Sequence, residues 1–398
     1  MNRHSNATRG SAHSGQGVPD YNSGMRTPII AMTLGDPAGI GPEVAAGSWM
    51  RDDFPADCQP FVIGHPAILR RAVSLLGLDL KVIEISAPAA ARPRSEGISC
   101  LACGSDDAAQ VAPATVDPRG GQAAFDATVL AARLALTGQI DAMVTAPLHK
   151  AALHAAGHHF PGHTELLANQ CGVDRVAMML YLSQSPIVRG RIGLGVAHVT
   201  LHMAMREVIE HLNCERIIAG VQLVHAVSQR FLRARRIDDQ PVIGVCALNP
   251  HSGEQGLFGR EELEIIAPAV ERARTGGVNV RGPLPADTLF GRAKSGEFDA
   301  VVAMYHDQGH IALKLLDMHR AVNITLGLPI IRTSVAHGTA FDLAWQGRAE
   351  TGGMIEALRV ASVLAGQRSA DSDSSNTDPA GAPRRQPSGR WEPGRSAP

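Results

Sequence analysis

Residues 28–43, PIIAMTLGDPAGIGPE, decide the fold of this chain. The first seven residues form an apolar run of strand length, and the glycines that follow allow the tight backbone of a turn. Pro42 suits the first turn of a helix, where its missing N–H is not needed. The stretch therefore predicts a buried strand, a glycine turn and a helix whose N-terminus favours an anion. Its spacing is not G-x-G-x-x-G, so it does not indicate a Rossmann nucleotide site.

The same strand-then-helix pattern recurs along the chain. Apolar runs of strand length occupy residues 28–34, 60–63, 142–145, 192–199, 242–247 and 300–304. Segments with apolar residues three and four apart occupy residues 124–136, 205–212, 216–233, 261–274 and 354–364. This alternation predicts an α/β protein with a mostly parallel sheet. In such sheets the functional residues are expected where strands end and loops begin.

The composition argues against several classes of function. With 37 Lys and Arg against 38 Asp and Glu, no overall charge attracts the protein to nucleic acid or to a membrane. We find no apolar run of the roughly 18 residues that a membrane span needs, and no apolar core of a secretory signal in the first 26 residues. The six cysteines lack the paired spacing of a zinc site and are expected to be reduced thiols in a cytoplasmic protein.

Three histidines each follow an apolar strand. His202 comes after VAHVT (196–200), His251 after VCALNP (245–250) and His306 after VVAMY (301–305). A lone histidine in such a place is usually a hydrogen-bonded structural residue. Three at the ends of parallel strands can meet at one edge of the sheet, and three imidazoles with an open position are typical of a catalytic metal. Asp287 and Asp307 are candidates for further ligands or for partners of these imidazoles.

The last third of the chain predicts an anion site. Lys314, Asn323 and Arg332 interrupt strongly apolar sequence, and a buried cation needs an anionic partner such as a phosphate or a carboxylate. His163, in the turn FPGHTE (160–165), is either part of a helix cap or a contact to an anion or hydroxyl. The run HGTAFD (337–342) offers a glycine turn with hydroxyl and carboxylate groups, which suits a nucleotide.

Several of these motifs, taken together and in this order, carry a family resemblance. The chain resembles the 4-hydroxythreonine-4-phosphate dehydrogenase family of pyridoxal phosphate biosynthesis from about residue 28 to residue 364. The motifs that carry it are GDPAGIGPE (35–43), TAPLHK (145–150), GHTE (162–165), LNPHSGEQGLFGREE (248–262), GPLPADTLF (282–290), MYHDQG (304–309) and VNITLGLPIIRTS (322–334).

The resemblance implies a fold like that of isocitrate and isopropylmalate dehydrogenases, with two α/β domains and a cleft between them. The cofactor-side domain would comprise residues 27–145 and 322–366, and the metal-binding and dimerisation domain residues 146–321. Residues 1–26 and 367–398 are polar tails with too little apolar sequence to fold, and are expected to be disordered. The resemblance also implies a homodimer with its active site at the subunit interface.

The resemblance further implies a role for each matching residue. The metal ligands would be His202, His251 and His306. The substrate contacts would be His163, Thr164, Lys314, Asn323 and Arg332. The loop HGTAFDLA (337–344) resembles the adenosine-side loop of related dehydrogenases, which implies that Gly338, Thr339 and Asp342 contact the cofactor. That cofactor would be NAD or NADP, and the metal a divalent cation such as zinc, magnesium or cobalt.

The implied reaction is the oxidation of 4-hydroxy-L-threonine 4-phosphate at its secondary alcohol. The product is a 3-keto acid that loses carbon dioxide to give 3-amino-2-oxopropyl phosphate. The metal would lower the pKa of the hydroxyl and the nicotinamide would accept the hydride. Asp287, Asp307 and a metal-bound water are all open as the general base.

Departures from the family pattern leave other substrates open. Ala336 and Trp345 stand where Asp and Gly are common, and His310 gives HDQGHI, which is similar to a branch acting on 4-phospho-D-threonate or 4-phospho-D-erythronate and to cis-dihydrodiol dehydrogenases. Two alternative functions also remain open. One is a metal-dependent phosphatase that uses the same histidines, and the other is a regulator that binds a phosphometabolite without turnover.

Overall fold

The structure, a computed structural model, describes residues 26–372, and within them twelve strands form one sheet. In chain order the strands are β1 (Ile29–Thr33), β2 (Gln59–Gly64), β3 (Val82–Ile85), β4 (Ile98–Ala102), β5 (Ala142–Thr145), β6 (Ala177–Leu182), β7 (Leu194–His198), β8 (Ile243–Cys246), β9 (Val280–Leu284), β10 (Ala300–Ala303), β11 (Val322–Leu326) and β12 (Arg332–Val335).

The order of the strands in space is β3-β4-β2-β1-β5-β12-β11-β6-β7-β10-β8-β9. Neighbouring strands run parallel except at the centre, where β12–β11, β11–β6 and β6–β7 are antiparallel. The prediction of an α/β protein with a mostly parallel sheet is confirmed. Two antiparallel pairs of consecutive strands, β6–β7 and β11–β12, form this centre and are joined by the pairing of β6 with β11.

Eleven α-helices cover the sheet within the described residues. They are α1 (Gly41–Ser48), α2 (Pro66–Leu75), α3 (Pro118–Leu136), α4 (Lys150–Ala155), α5 (His163–Cys171), α6 (Met205–His211), α7 (Cys214–Ala234), α8 (Ala267–Thr275), α9 (Ala286–Lys294), α10 (His306–Asp317) and α11 (Gly352–Ser372). Each predicted helical segment corresponds to one of these helices, and α8 is extended at its start by a π-helical turn, Glu262–Ile266.

The opening stretch folds as its sequence predicts. Residues 30–33 of β1 are fully buried between two parallel neighbours, β2 and β5. Gly35 has φ +66°, in the left-handed region that favours glycine, and Pro42 lies in the first turn of α1. The apolar run thus places its glycine turn at the carboxyl end of a central strand.

Three apolar clusters pack the helices onto both faces of the sheet. The largest includes buried residues of α1, α2, α7, α8 and α11. On the opposite face, α3 and α5 pack over the first parallel part, while α9 and α10 pack over the second. Because the helices cover the faces of the sheet, the connecting loops occupy the carboxyl ends of the strands.

The sheet is continuous across the predicted domain boundaries. Strand β11, at residues 322–326, pairs with β12 on one side and with β6 on the other. Helix α4, assigned to the second domain, packs on α3 of the first so closely that a Cβ at Gly121 would collide with the carbonyl of Ala152. The division into two domains stays a prediction.

The remaining sequence expectations concern thiols, membranes and the tails. All six cysteines are free, as predicted. Among residues 26–372, no helix combines the length and apolar character that a membrane crossing requires. The predicted tails lie outside the described residues, except for Arg26, which pairs with Asp141, and for residues 367–372, which form the last turns of α11.

Candidate functional site

Two neighbouring parallel strands bring the first functional side chains together. His198 ends β7 and is paired in register with Ala303, the last residue of β10. Three residues later His306 begins α10, and His202 lies in the loop after β7. The ends of β7 and β10 therefore converge on one place.

Four imidazoles meet there, and we refer to His198, His202, His306 and His310 as the histidine group. The ring centroid of His306 is 5.7 Å from that of His202 and 6.2 Å from that of His198. His310 stacks on His306 at 3.7 Å with an interplanar angle of 12°. Nδ1 of His310 is 3.1 Å from Nε2 of His198.

The two predicted carboxylates differ in their relation to this group. Oδ1 of Asp307 lies 2.7 Å from Nδ1 of His306, so the carboxylate accepts the Nδ1–H and leaves the Nε2 lone pair for a ligand. Asp287 is exposed in the first turn of α9 and has no hydrogen bond or ion pair with the histidine group within residues 26–372. Only Asp307 is placed to orient an imidazole.

His251 lies apart from the histidine group, in a turn of unusual backbone. Residues 251–255 all have positive φ, between 42° and 75°, although four of the five are not glycine. The buried carboxylate of Glu262 holds the start of this turn by accepting the backbone N–H groups of Leu248 and Asn249, at 2.8 and 2.7 Å. Strained backbone of this kind is frequent at functional sites.

The predicted trio of metal ligands is therefore only partly assembled within one chain. His202 and His306 are neighbours, whereas the ring of His251 lies beside that of Phe258, with 6.4 Å between the centroids. Within residues 26–372, no three His, Cys, Asp or Glu side chains are grouped as a metal would require. The assignment of His251 to the same metal stays a prediction.

The predicted anion site centres on Arg332, at the start of β12. Arg332 is only 3% exposed, and its guanidinium donates to the hydroxyls of Thr145 and Thr325, with the closest N–O distance 2.7 Å. It forms no ion pair with any described carboxylate at salt-bridge distance. Burial lowers the pKa of Arg332 to about 10. Burying a cation without an anionic partner costs free energy of folding. The guanidinium is therefore a candidate site for an anionic ligand.

Two buried polar atoms of the predicted substrate contacts have no hydrogen-bond partner within the described residues. Nε2 of His163 and Oδ1 of Asn323 are buried without a hydrogen bond. The pKa of His163 lies well below its ordinary value, first because of burial and second because of the charge of Arg332. Thr164 follows in the first turn of α5 and is half-buried. Orphaned buried polar groups of this kind are those that a polar ligand would satisfy.

Charged side chains connect the anion site to the histidine group. The pKa of His202 is lowered first by burial and next by the nearby Lys150 and His306, while Glu165 acts to raise it. Glu165 also acts on Arg332. On the other side, the charge of Lys314 contributes to lowering the pKa of His310. The charge of Glu165 therefore acts on both the histidine group and the anion site.

The predicted cofactor loop packs on the glycine turn after β1. The backbone N–H of Ile40 donates to the carbonyl of Thr339 at 3.0 Å, and a Cβ at Gly39 would lie 2.9 Å from Thr339. Gly338 and Asp342 are exposed beside this contact. Trp345 fixes the end of the loop by donating its indole N–H to the carbonyl of Pro37, at 2.7 Å.

Sequence reasoning missed His198 and did not assign a role to His310. The apolar pattern around His198 predicts a strand and no functional role. In the structure His198 is the last residue of that strand and is only 4% exposed. His310 follows His306 by one helical turn, a spacing that places both on one face of α10. That spacing was the available signal for His310, whereas the place of His198 depends on the pairing of β7 with β10.

Known proteins resemble this chain over most of its length. The chain matches the family described as "Pyridoxal phosphate biosynthetic protein PdxA" over residues 56–361. It is 46% identical to the D-threonate 4-phosphate dehydrogenase of Cupriavidus necator, over 86% of this chain and 98% of that protein. It is 44% identical to the 4-hydroxythreonine-4-phosphate dehydrogenase of Geobacter metallireducens, over 85% and 96%.

A solved structure extends the likeness to three dimensions. The crystal structure of 4-hydroxythreonine-4-phosphate dehydrogenase from Klebsiella pneumoniae matches with a TM-score of 0.75 at 41% identity, covering 86% of this chain and 99% of that one. These matches cover most of this chain and nearly the whole of each relative. This chain belongs to the PdxA family, a family of dehydrogenases.

Proposed function

We propose that this protein oxidises the secondary alcohol of a small phosphorylated hydroxy acid with NAD or NADP. The leading substrate is 4-hydroxy-L-threonine 4-phosphate, which would place the enzyme in pyridoxal phosphate biosynthesis. D-threonate 4-phosphate is the second candidate, because a relative of that name is 46% identical. The observation that carries the proposal is the buried guanidinium of Arg332, which lacks an anionic partner in the described chain.

The anion site would bind and orient the substrate. Arg332 can donate to a phosphate or carboxylate while keeping its hydrogen bonds to Thr145 and Thr325, because a guanidinium has five N–H donors. The unpartnered Nε2 of His163 and Oδ1 of Asn323 would bond to hydroxyl or phosphate groups of the same molecule. Burial strengthens each of these contacts because water is excluded.

The histidine group fits a divalent cation by its chemistry. Neutral imidazole suits zinc and cobalt better than magnesium, which prefers oxygen ligands. His306 is held by Asp307 and has His202 as a neighbour, with 5.7 Å between the ring centroids, so at least one further ligand would have to come from outside this group. When bound, the cation would lower the pKa of the substrate hydroxyl while the nicotinamide accepts the hydride.

The cofactor would lie along the contact between the glycine turn and the 337–345 loop. Gly39 allows Thr339 to approach, and the exposed Gly338 and Asp342 are available to a ribose. This proposal is supported by the packing of the two loops, because the hydrogen bond from Ile40 to Thr339 places the N-terminus of α1 next to the predicted nucleotide loop.

A second copy of the chain would complete the site. Large apolar side chains are exposed on α10, where Leu315 is 82% and Ile311 57% accessible, and beside His251, where Leu257 is 72% accessible. Exposed apolar surface of this extent is typical of a protein interface. We propose a homodimer in which His251 of one copy approaches His306 of the other, and a cytoplasmic location, which suits the six free thiols.

A substrate panel tests the reaction. The purified protein is assayed with 4-hydroxy-L-threonine 4-phosphate, D-threonate 4-phosphate and a cis-dihydrodiol, with NAD and NADP, in the presence of zinc, cobalt or magnesium. Cofactor reduction with one of the two phosphorylated acids supports the proposal. Release of phosphate without cofactor reduction would instead support a phosphatase, and binding without turnover a regulator.

Mixing two inactive variants tests the shared site. His251→Ala and His306→Ala should each be inactive alone. If each site takes one residue from each chain, random exchange of subunits should restore about one quarter of wild-type activity, because half of the dimers then contain one intact site. Mixtures that stay inactive, although the variants exchange subunits, would refute the sharing of His251.

A further inference from the structure

A groove lies beside the predicted cofactor loop, between α2 and the end of that loop. It has a volume of about 370 Å³ and is lined by Arg71, Ser74 and Leu75 of α2, by Pro113 and by Trp345. The guanidinium carbon of Arg71 lies 3.9 Å from the ring centroid of Trp345. A cation in this position is attracted by the negative face of the indole. The groove therefore combines a positioned cation, a hydroxyl and apolar walls.

Two walls of this groove are anchored to the glycine turn after β1. Trp345 donates its indole N–H to the carbonyl of Pro37 at 2.7 Å. On the opposite wall, the backbone N–H of Ala114 donates to the carbonyl of Ala38 at 2.9 Å. The same glycine turn carries the contact to Thr339 of the predicted nucleotide loop. The groove and that loop therefore adjoin along this turn.

Trp345 occupies a backbone conformation that favours glycine. Its φ is +60°, in the left-handed region. The buried carboxylate of Glu43 holds it there by accepting the backbone N–H of Trp345 with one oxygen and that of Gly347, at 2.7 Å, with the other. Bulky residues in this conformation are uncommon, and they cluster at ligand sites. The chain thus keeps a large ring at a position where the backbone alone would favour glycine.

Arg71 has no anionic partner within residues 26–372. Its neighbour on α2, Arg70, pairs with Glu84, whereas Arg71 forms no ion pair and no hydrogen bond with a described residue. Arg71 is exposed, so its N–H groups are accessible from solvent. A guanidinium that stacks on an aromatic ring is held in place while its edge stays free to pair with a phosphate. Arg71 is therefore placed for an anionic ligand.

The groups of the groove suit the adenosine end of a nucleotide. Bases stack on guanidinium planes and on apolar walls, and the hydroxyl of Ser74 can bond to the polar edge of a base. In dinucleotide sites an arginine accommodates the 2′-phosphate of NADP, whereas an acidic residue binds the unmodified ribose of NAD. Asp342, three residues before Trp345, is exposed and would favour the unmodified ribose. The phosphate that pairs with Arg71 is therefore either the 2′-phosphate or the pyrophosphate, and the experiment below distinguishes them.

We propose that this groove binds the phosphorylated adenosine end of the nicotinamide cofactor, with Arg71 paired to a phosphate and Trp345 holding the guanidinium in place. The identity of the ligand as a cofactor rests on the proposed function, whereas the affinity of the groove for an adenosine phosphate does not. The glycine turn would then connect the groove to the part of the cofactor site at Thr339.

Three variants test the two side chains. Arg71→Gln removes the charge, and Arg71→Lys keeps the charge but loses the planar fork and its stacking. Trp345→Gly removes the ring at a backbone conformation that suits glycine. Arg70→Gln removes one positive charge from the same helix outside the groove and is the matched control. Thermal unfolding first verifies that each variant is folded.

The measurement is a calorimetric titration of the metal-free, full-length protein with adenosine 5′-diphosphate, adenosine 2′,5′-diphosphate and adenosine. Loss of one charge-assisted contact to a phosphate corresponds to about 10-fold weaker binding. We expect this loss in Arg71→Gln for at least one diphosphate, smaller losses in Arg71→Lys and Trp345→Gly, and no change in Arg70→Gln or for adenosine. A loss confined to the 2′,5′-diphosphate assigns the 2′-phosphate of NADP to Arg71, and a loss that includes the 5′-diphosphate assigns the pyrophosphate.

Two results would overturn the proposal. One is equal affinity of the wild type and Arg71→Gln for both diphosphates, and the other is a wild type that binds neither diphosphate. If the protein oxidises no phosphorylated acid yet binds a diphosphate through Arg71, the proposed function fails and the groove assignment stands. If the wild type oxidises such an acid and Arg71→Gln binds both diphosphates equally well, the proposed function stands and the groove assignment fails.

Discussion

Arg332→Met should weaken substrate binding and, at the same time, stabilise the free protein. Methionine fills a volume similar to that of the arginine stem without a charge. Arg332 is 3% exposed, and within residues 26–372 its guanidinium donates to the hydroxyls of Thr145 and Thr325 and forms no ion pair. The substitution therefore removes a buried charge that is satisfied only when an anion binds.

The magnitude follows from the pKa of the group. Burial lowers the pKa of Arg332 from 12.5 to about 10, and at about 1.4 kcal/mol for each tenfold change in proton affinity this corresponds to about 3 kcal/mol. Because the pKa is lowered in the folded state, the penalty is fully present at neutral pH and fades as the pH rises above about 10. The substitution loses three hydrogen bonds, two to Thr145 and one to Thr325, which offset about 2–3 kcal/mol, so the free energy of unfolding should rise by at most about 1 kcal/mol.

The effect on binding has the opposite sign. A charge-assisted hydrogen bond to an anion contributes about 1.5–3 kcal/mol, which corresponds to a KM about 10- to 150-fold higher for the phosphorylated substrate. Thermal unfolding without ligand and steady-state kinetics measure the two effects. Arg189→Met, at an exposed arginine, is the control and should change neither. A variant with unchanged KM, or one that is less stable without ligand, would show that Arg332 is a structural residue.

Three further predictions concern the rest of the cleft. Asp307→Asn should weaken Co²⁺ binding by about 10- to 100-fold, because the imidazole it orients loses its carboxylate; an unchanged titration would contradict this role. Gly39→Ala should raise the KM for the nicotinamide cofactor more than that for the phosphorylated acid, since its Cβ would lie 2.9 Å from Thr339; Gly291→Ala, with open space around it, is the control, and equal effects on both substrates would argue against a cofactor role. His163→Gln should make the protein less sensitive to acid. Folding lowers the pKa of His163, so the stability associated with its neutral ring is fully present above pH 6.5. That stability is lost at about 1.4 kcal/mol per pH unit as the pH falls below 6.5. Thermal midpoints at pH 7 and pH 5 measure this, and an equal drop in wild type and variant would show that His163 titrates normally.

Local patterns in the sequence predicted the helices and strands and several residues of the candidate site. The run before Gly35 is apolar because β1 is buried on both faces, and the turn after it requires glycine at a positive φ. Arg332 stood out because a cation within apolar sequence must be buried. His306 stood out because it follows β10 directly. These features depend on neighbours along the chain, which the sequence displays.

Contacts between distant segments required the tertiary structure. The antiparallel centre of the sheet, the packing of α4 on α3 and the meeting of His198 with His310 all depend on strand order and register. His198 and His310 are 112 residues apart in the chain, and neither residue's immediate sequence indicates the other. Periodicity determines which residues are buried, whereas the arrangement of strands in space determines which buried residues touch.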